Sequence, residues 1–267
     1  MVFSSISSIE QETWQWRQTE GLSYLQCRLL ENFPHGFFTR DFEGYSLAAF
    51  TRVLAPDATP YRTKQVHGKR VVTPSEMAHE EAEIVAADGL YSDGKKQALW
   101  VASADCTPVL IADVKRKAVA AVHAGWRGTA LSILPCAIAH FLEENSQLPD
   151  LRVALGPAIS GEVYQVSPDV AAQVGVSLFP VESNLSSKAI LEQLWEYQNS
   201  PLLPDPKPEK VRLDVRRVNV LQLEQMGFHP EQITVAPHCT YQDPKHFFSY
   251  RRSHEKAVQW SGIVSTA

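Results

Sequence analysis

The chain has 267 residues, 44% of them hydrophobic and 21% charged, with a formal net charge of -5 and pI ≈ 6.0. That balance excludes a general electrostatic attraction to nucleic acid or to an anionic membrane, and no apolar run approaches the roughly 20 residues of a spanning helix. The length suits one large α/β domain, read as residues 1–267 with a peripheral segment at 1–30.

The opening MVFSSISSIEQETWQWRQ has no basic start followed by an apolar core, so it does not read as a secretory signal and a cytoplasmic protein is expected. The four cysteines, Cys27, Cys106, Cys136 and Cys239, form no CxxC pair. In a reducing compartment they are free thiols, core residues or metal ligands.

In chain order, Leu22 to Leu30 reads as one strand, and Pro34 to Arg40 (PHGFFTR) as the start of the core. The acidic stretch Ala78 to Ala87 fits a surface loop or a short helix. Ala98 to Ser103, Pro108 to Asp113 and Ala118 to His123 are short apolar runs suited to buried strands. Thr129 to Asn145 repeats its apolar residues at helical spacing, with Thr129 as N-cap. Arg152 to Leu155 is a strand; Ser167 caps a helix over Pro168 to Val174, and Ser187 one to Tyr197. Asn199 to Lys210 (NSPLLPDPKPEK) carries four prolines and predicts an exposed loop. Asp214 to Gly227 is helical, with Gly227 as its C-terminal cap. Ile233 to Ala236 and Ala257 to Val264 are late strands. Several strands per helix argue for mixed sheets in a layered α/β arrangement.

Three segments place a metal-capable side chain at the edge of an apolar strand: TKQVHGKR with His67, SADCTP with Cys106, and AVHAGWRG with His123. Two imidazoles and a thiolate are a good donor set for Zn²⁺, and three protein ligands leave a fourth position open for chemistry. The same donors suit copper. A nucleophilic Cys106 with a histidine base needs the same residue types and stays open on spacing alone.

The segments QVHG, SADCTPVLIAD, AVHAGWRG, LGPAI, HCTYQDPKHFFSYRR and HGFFTR, in that spread from about Pro34 to the C-terminus, closely resemble the laccase-domain family. Its members have been named multicopper polyphenol oxidases. They have also been described as purine nucleoside phosphorylases with adenosine deaminase and methylthioadenosine phosphorylase activity. The resemblance places the family's metal ligands on His67, Cys106 and His123. It implies an α/β/α-type sandwich related to cysteine and toxin-like hydrolases. The chain departs from the family between Arg40 and Tyr61, where DFEGYSLAAF replaces a glycine-rich turn.

Around the triad, Arg127, Arg40 and Arg251 are candidate oxyanion or substrate contacts. Gln65, two residues before His67, faces the same side if extended. Phe248 and Tyr250 are candidate stacking partners for a purine, and Asp105 could orient a ligand from behind. His238 and Cys239 also invite a ligand role, against a plain turn of the chain.

The leading expectation is phosphorolysis of adenosine, inosine and methylthioadenosine, with nucleoside and phosphate as the small-molecule partners and Arg127 as the phosphate clamp. Adenosine deamination by a metal-activated water is the companion activity. The alternatives are a copper-dependent polyphenol oxidase, a hydrolase that edits peptidoglycan precursors, and a non-enzymatic metal-binding protein. Nine scattered histidines without an HxH pair weigh against multicopper chemistry.

Overall fold

The computed structural model describes residues 13–80, 84–179 and 185–266. The strands are β1 (Trp14–Thr19), β2 (Leu22–Cys27), β3 (His35–Phe38), β4 (Thr59–Arg62), β5 (Val71–Val72), β6 (Gly89–Tyr91), β7 (Gln97–Ser103), β8 (Thr107–Asp113), β9 (Val119–Ala124), β10 (Leu151–Leu155), β11 (Gln165–Val166), β12 (Leu202–Pro204), β13 (Val211–Leu213), β14 (Ile233–Val235) and β15 (Gln259–Val264). The helices are α1 (Leu47–Leu54), α2 (Pro74–Ala78), α3 (Trp126–Ala130), α4 (Ile133–Glu143), α5 (Pro168–Gly175), α6 (Ser187–Glu196), α7 (Val215–Gln225) and α8 (Tyr250–Ser253).

Two six-stranded mixed sheets, ordered β1-β2-β3-β15-β7-β4 and β14-β10-β8-β9-β6-β5, carry the fold, with a small β11-β13-β12 sheet beside them. Strand alternation explains how they stack. Leu99 and Val101 of β7, Leu110 and Ala112 of β8, and Val119 and Ala121 of β9 share one buried cluster. Their neighbours Ala98 and Trp100 join a second cluster with Phe50 of α1. Val109, Ile111, Ala120 and Val122 join a third with α4 and Leu223 of α7. Because a period of two sends alternate side chains to opposite faces, the two sheets lie face to face with helices outside both. The α/β/α-type sandwich implied by resemblance is thus a double-sheet core between helical layers. No helix among the described residues is long and apolar enough to cross a membrane.

Residues from Trp14 onward are not peripheral, contrary to the expectation for 1–30. β1 and β2 form the outer strands of the first sheet, and Trp14, Leu25, Cys27 and Leu30 enter the core between the sheets. β1 has only alternate apolar residues and a mostly exposed surface, so its sequence is that of a sheet edge. The run Leu22 to Leu30 ends as a strand at Cys27 and closes in a 3-10 turn at Arg28–Leu30.

Other boundaries moved for local reasons. The helix expected over Thr129 to Asn145 is two helices, α3 and α4, with Ser132 between them at φ 61. Pro135 has no N–H to bond back to Leu131 and its ring clashes with that carbonyl, so one helix cannot run through. Thr129 is buried instead of capping, and its hydroxyl accepts a hydrogen bond from Asn219 of α7. The N-cap of α6 is Ser186, one residue before the expected Ser187. The proline-rich stretch 199–210 is not wholly loop, because Leu202–Pro204 pairs with β13. β12 lies at the edge of its small sheet, where a proline need not donate. Residues 81–83 of the acidic stretch 78–87 lie outside the described residues; its start ends α2, and Ala86 bridges Lys64.

His35 of β3 is buried with both ring nitrogens engaged: Nε2 accepts from the Cys27 N–H at 2.8 Å, and Nδ1 donates to the Phe33 carbonyl at 2.8 Å. Burial lowers its pKa to about 4, against smaller opposing effects of those two backbone contacts. The unfolded chain therefore takes up this proton first. Stability from the neutral ring is complete above pH 6.5 and is lost as pH falls toward 4, by about 3 kcal/mol over that window. Urea unfolding of wild type and His35→Gln at several pH values checks this. The variant is expected to lose less stability on acidification, and parallel curves would rule His35 out as the source.

Candidate metal centre

The three sequence-predicted ligands arrive from two connections and one strand. His67 lies in the turn after β4, Cys106 in the turn between β7 and β8, and His123 near the end of β9. β8 and β9 are adjacent and antiparallel, with Pro108 opposite His123, so the start of β8 and the end of β9 meet at one end of the second sheet. On β9, His123 follows Val119 and Ala121 in the alternation that faces the first sheet. There the ligand atoms of His67, Cys106 and His123 lie within 4.8 Å of one another. The two imidazoles are 4.9 Å apart and nearly perpendicular, at 82°.

Asp88, immediately before β6, organises both histidines, and sequence reasoning missed it. Its buried carboxylate accepts from Val66 N–H (3.1 Å), His67 N–H (2.9 Å), Gly68 N–H (2.7 Å) and His123 Nδ1 (2.9 Å). The positive φ of His67, 60°, belongs to the turn that aims three successive N–H groups at one anion. The Asp88 backbone carbonyl also accepts from His123 N–H at 2.7 Å. With Nδ1 committed as donor to Asp88, His123 presents Nε2 as its donor atom toward an ion. The available signal was an acidic residue set between two alanines and the apolar start of a strand, in AADGLY.

At neutral pH the electrostatics pair a Cys106 thiolate with a protonated His123, whose Nε2 proton a metal ion would displace on binding. Burial raises the Cys106 pKa, but hydrogen bonds with His123 and His67 outweigh it and bring the thiol down to about 6. Burial lowers the His123 pKa, and Asp88 and Cys106 overcome that and raise it to about 9. Burial likewise raises the Asp88 carboxyl, while His123 and the turn N–H groups hold it below the usual carboxylate range. A thiolate available near neutral pH, two imidazoles and a missing side chain at Gly125 fit a mononuclear metal ion. Asp88→Asn places a new N–H₂ among existing donors. Metal affinity is expected to fall by about 10- to 100-fold, as outer hydrogen-bond partners usually require. Chelator competition measures it, and an unchanged affinity would remove Asp88 from the site.

The triad floors an open cleft of ≈ 490 Å³, which also exposes Arg62, Lys64, Gln65, Tyr250, Lys256 and Trp260 to a substrate. Gln65 and Tyr250 both line this cleft. The Gln65 amide is fully engaged there, donating to the Ala102 carbonyl and accepting from the Ala102 N–H, each at 2.8 Å. Arg62, Lys64, Lys256 and Trp260 were missed, since nothing local distinguishes them from ordinary surface and strand residues.

The remaining candidates lie elsewhere. Asp105 faces away from the cleft side of Cys106, accepting from Thr240 Oγ1 and from the Arg251 backbone N–H, both at 2.7 Å. The Arg251 guanidinium donates to the Gln165 carbonyl at 2.8 Å and covers Tyr164. Asp105 and Tyr164 line a separate recess of ≈ 40 Å³ on the other side of Cys106. Arg127 is exposed on α3 with its guanidinium 4.3 Å from the Trp126 ring. Arg40 donates to the Pro244 carbonyl and sits over buried Phe248 at 4.7 Å, outside the cleft lining. Cys239 is buried and accepts from Ser160 N–H, while His238 packs against Trp16, so neither joins the triad.

Known proteins share this architecture and sequence. A purine nucleoside phosphorylase of Synechocystis sp. is 51% identical over 258 residues, which cover 95% of this chain and 98% of that protein. The purine nucleoside phosphorylase YlmD of Bacillus subtilis is 31% identical over 207 residues, 75% of this chain and 68% of that protein. The crystal structure of YlmD from Geobacillus stearothermophilus superposes with a TM-score of 0.75 at 25% identity, covering 94% of this chain and 99% of that one. A family model described as multi-copper polyphenol oxidoreductase laccase matches residues 46–265, a span that holds all three candidate metal ligands and the whole cleft. By that match, the chain belongs to the multi-copper polyphenol oxidoreductase laccase family.

Proposed function

We propose that this protein is a metal-dependent purine nucleoside phosphorylase acting on adenosine, inosine and methylthioadenosine, with the His67–Cys106–His123 centre as its active site. The observation that carries the reading is the position of that centre. It floors an open cleft of nucleoside size, in a chain 51% identical to a protein named for this activity. In phosphorolysis a phosphate oxygen bonds to the ribose anomeric carbon as the N-glycosidic bond breaks, and the base leaves with the bonding pair and takes up a proton.

A Zn²⁺ or copper ion bound by the triad would supply Lewis-acid polarisation of a substrate oxygen. The chain's own residues do the positioning. Asp88 locks the orientation of His123 and the turn carrying His67, so the donor set is preorganised before substrate arrives. Half-exposed Tyr250 and partly buried Trp260 offer aromatic faces for a purine at the cleft wall. Among the described residues, His67, Cys106 and His123 form the one group placed to share a metal ion. A single centre favours phosphorolysis or deamination over multicopper phenol oxidation.

Assays of metal-defined protein on adenosine, inosine and methylthioadenosine, with and without phosphate, test this reading. Free base and a ribose 1-phosphate, formed only with phosphate, are expected. Inosine from adenosine without phosphate would reveal the deaminase activity. Failure to convert any of the three nucleosides under either condition would overturn the assignment.

A further inference from the structure

We propose that Arg62, Lys64 and Lys256 form a phosphoryl-oxyanion site on the rim of the metal cleft. The ligand chemistry is a phosphate group, supplied either as inorganic phosphate or as the phosphate of a nucleotide. Its use as the phosphorolysis co-substrate rests on the function proposed above; anion binding itself does not.

Arg62 and Lys64 are two residues apart on extended chain, so both side chains leave the same face. Both are exposed, whereas Thr63 between them is buried. Their backbone is held firmly. Arg62 is in parallel register with Trp100, Lys64 N–H donates to the Val85 carbonyl at 2.8 Å, and Ala87 N–H donates to the Lys64 carbonyl at 3.2 Å. Thr63 Oγ1 donates to the Ala87 carbonyl, and the Gln65 amide closes the segment onto Ala102. The two cations therefore project from a rigid rail. Lys256 comes from the connection between α8 and β15 and lines the same cleft.

None of the three cationic heads has a hydrogen bond, ion pair or ring contact among the described residues, although carboxylates outnumber cations in the chain by 30 to 25. Glu255 is the carboxylate among the cleft-lining residues. The cleft thus reverses the sign of the whole protein beside the metal centre. Unpaired guanidinium and ammonium groups on a fixed backbone suit a multiply charged tetrahedral anion. Arg127, the clamp expected from sequence, lies over the Trp126 ring and is not among the residues lining this cleft.

The test uses Arg62→Gln, Lys64→Gln, Lys256→Gln and the triple variant, with Lys188→Gln, at an exposed position of α6, as a remote charge control. Calorimetric titration with inorganic phosphate is run beside steady-state kinetics with nucleoside plus phosphate and with a nucleoside 5′-monophosphate. Each substitution is expected to raise the phosphate Kd and KM about tenfold, the size of one charge-assisted hydrogen bond. The nucleoside KM should rise far less, and Lys188→Gln should match wild type. If the variants raise the KM of the nucleotide and not of inorganic phosphate, the site stands and its anion is the nucleotide's own. If wild type binds phosphate through these residues but cleaves no nucleoside, the site stands and the proposed function falls. Phosphate affinity and both KM values unchanged in the triple variant would overturn the inference.

Discussion

Cys106→Ala is expected to cut nucleoside turnover by about a thousandfold or more, the scale seen when a reaction loses its central catalytic group. Bound metal should fall in parallel. The thiolate is the anionic donor of the three, and two neutral imidazoles alone leave the ion's charge poorly matched. The fold should survive, because Cys106 is only partly buried and borders two hollows. Metal analysis, turnover and thermal unfolding on the same preparation check all three statements. A companion experiment separates ligand from nucleophile. Chelation followed by metal addition to wild type should abolish and restore activity. Activity that survives complete metal removal but dies in Cys106→Ala would assign the thiol as nucleophile instead.

Gly125→Ala is the second large effect, and it arises from space alone. Gly125 has φ -68, which alanine adopts freely, so backbone strain plays no part. A Cβ there would lie 2.8 Å from Cys106 Sγ and 3.3 Å from His67 Cδ2. Either contact forces a ligand to move, and Cys106 and His67 come from separate connections that cannot shift together. Displacing a reacting geometry by about an ångström typically costs about a hundredfold in rate. A loss of that order in kcat/KM, with weaker metal binding, is therefore expected. Overpacking costs about 1–3 kcal/mol of stability at most sites, so the unfolding midpoint should move modestly. Wild-type activity in Gly125→Ala would show that the triad does not close as described.

The elements that sequence placed well are those with strong periodicity. The runs at Ala98, Pro108 and Ala118 became β7, β8 and β9 with shifts of a residue or so, and Asp214 to Gly227 became α7 with Asp214 as its side-chain cap. Elements that depend on neighbours were harder. β1 is apolar on alternate positions only, and its place in the sheet comes from pairing with β2. β12 carries a proline that reads as loop until an edge position makes the missing N–H harmless.

The sequence, through its resemblance to the family, singled out His67, Cys106 and His123 as the side chains that can hold a metal. Cys106 and His123 border apolar strand runs and His67 precedes a glycine, and side-chain chemistry is a local property. Tertiary structure alone decided what surrounds them. Asp88 is 21 residues from His67 and 35 from His123 in sequence, yet it bonds to both, because β6 pairs with β9 beneath the turn. Arg62, Lys64 and Lys256 line one cleft only because β4 and β15 flank β7 on opposite sides. Hydrogen bonding and charge act through space over a few ångströms, and no local pattern encodes which distant segments the sheets bring within that reach.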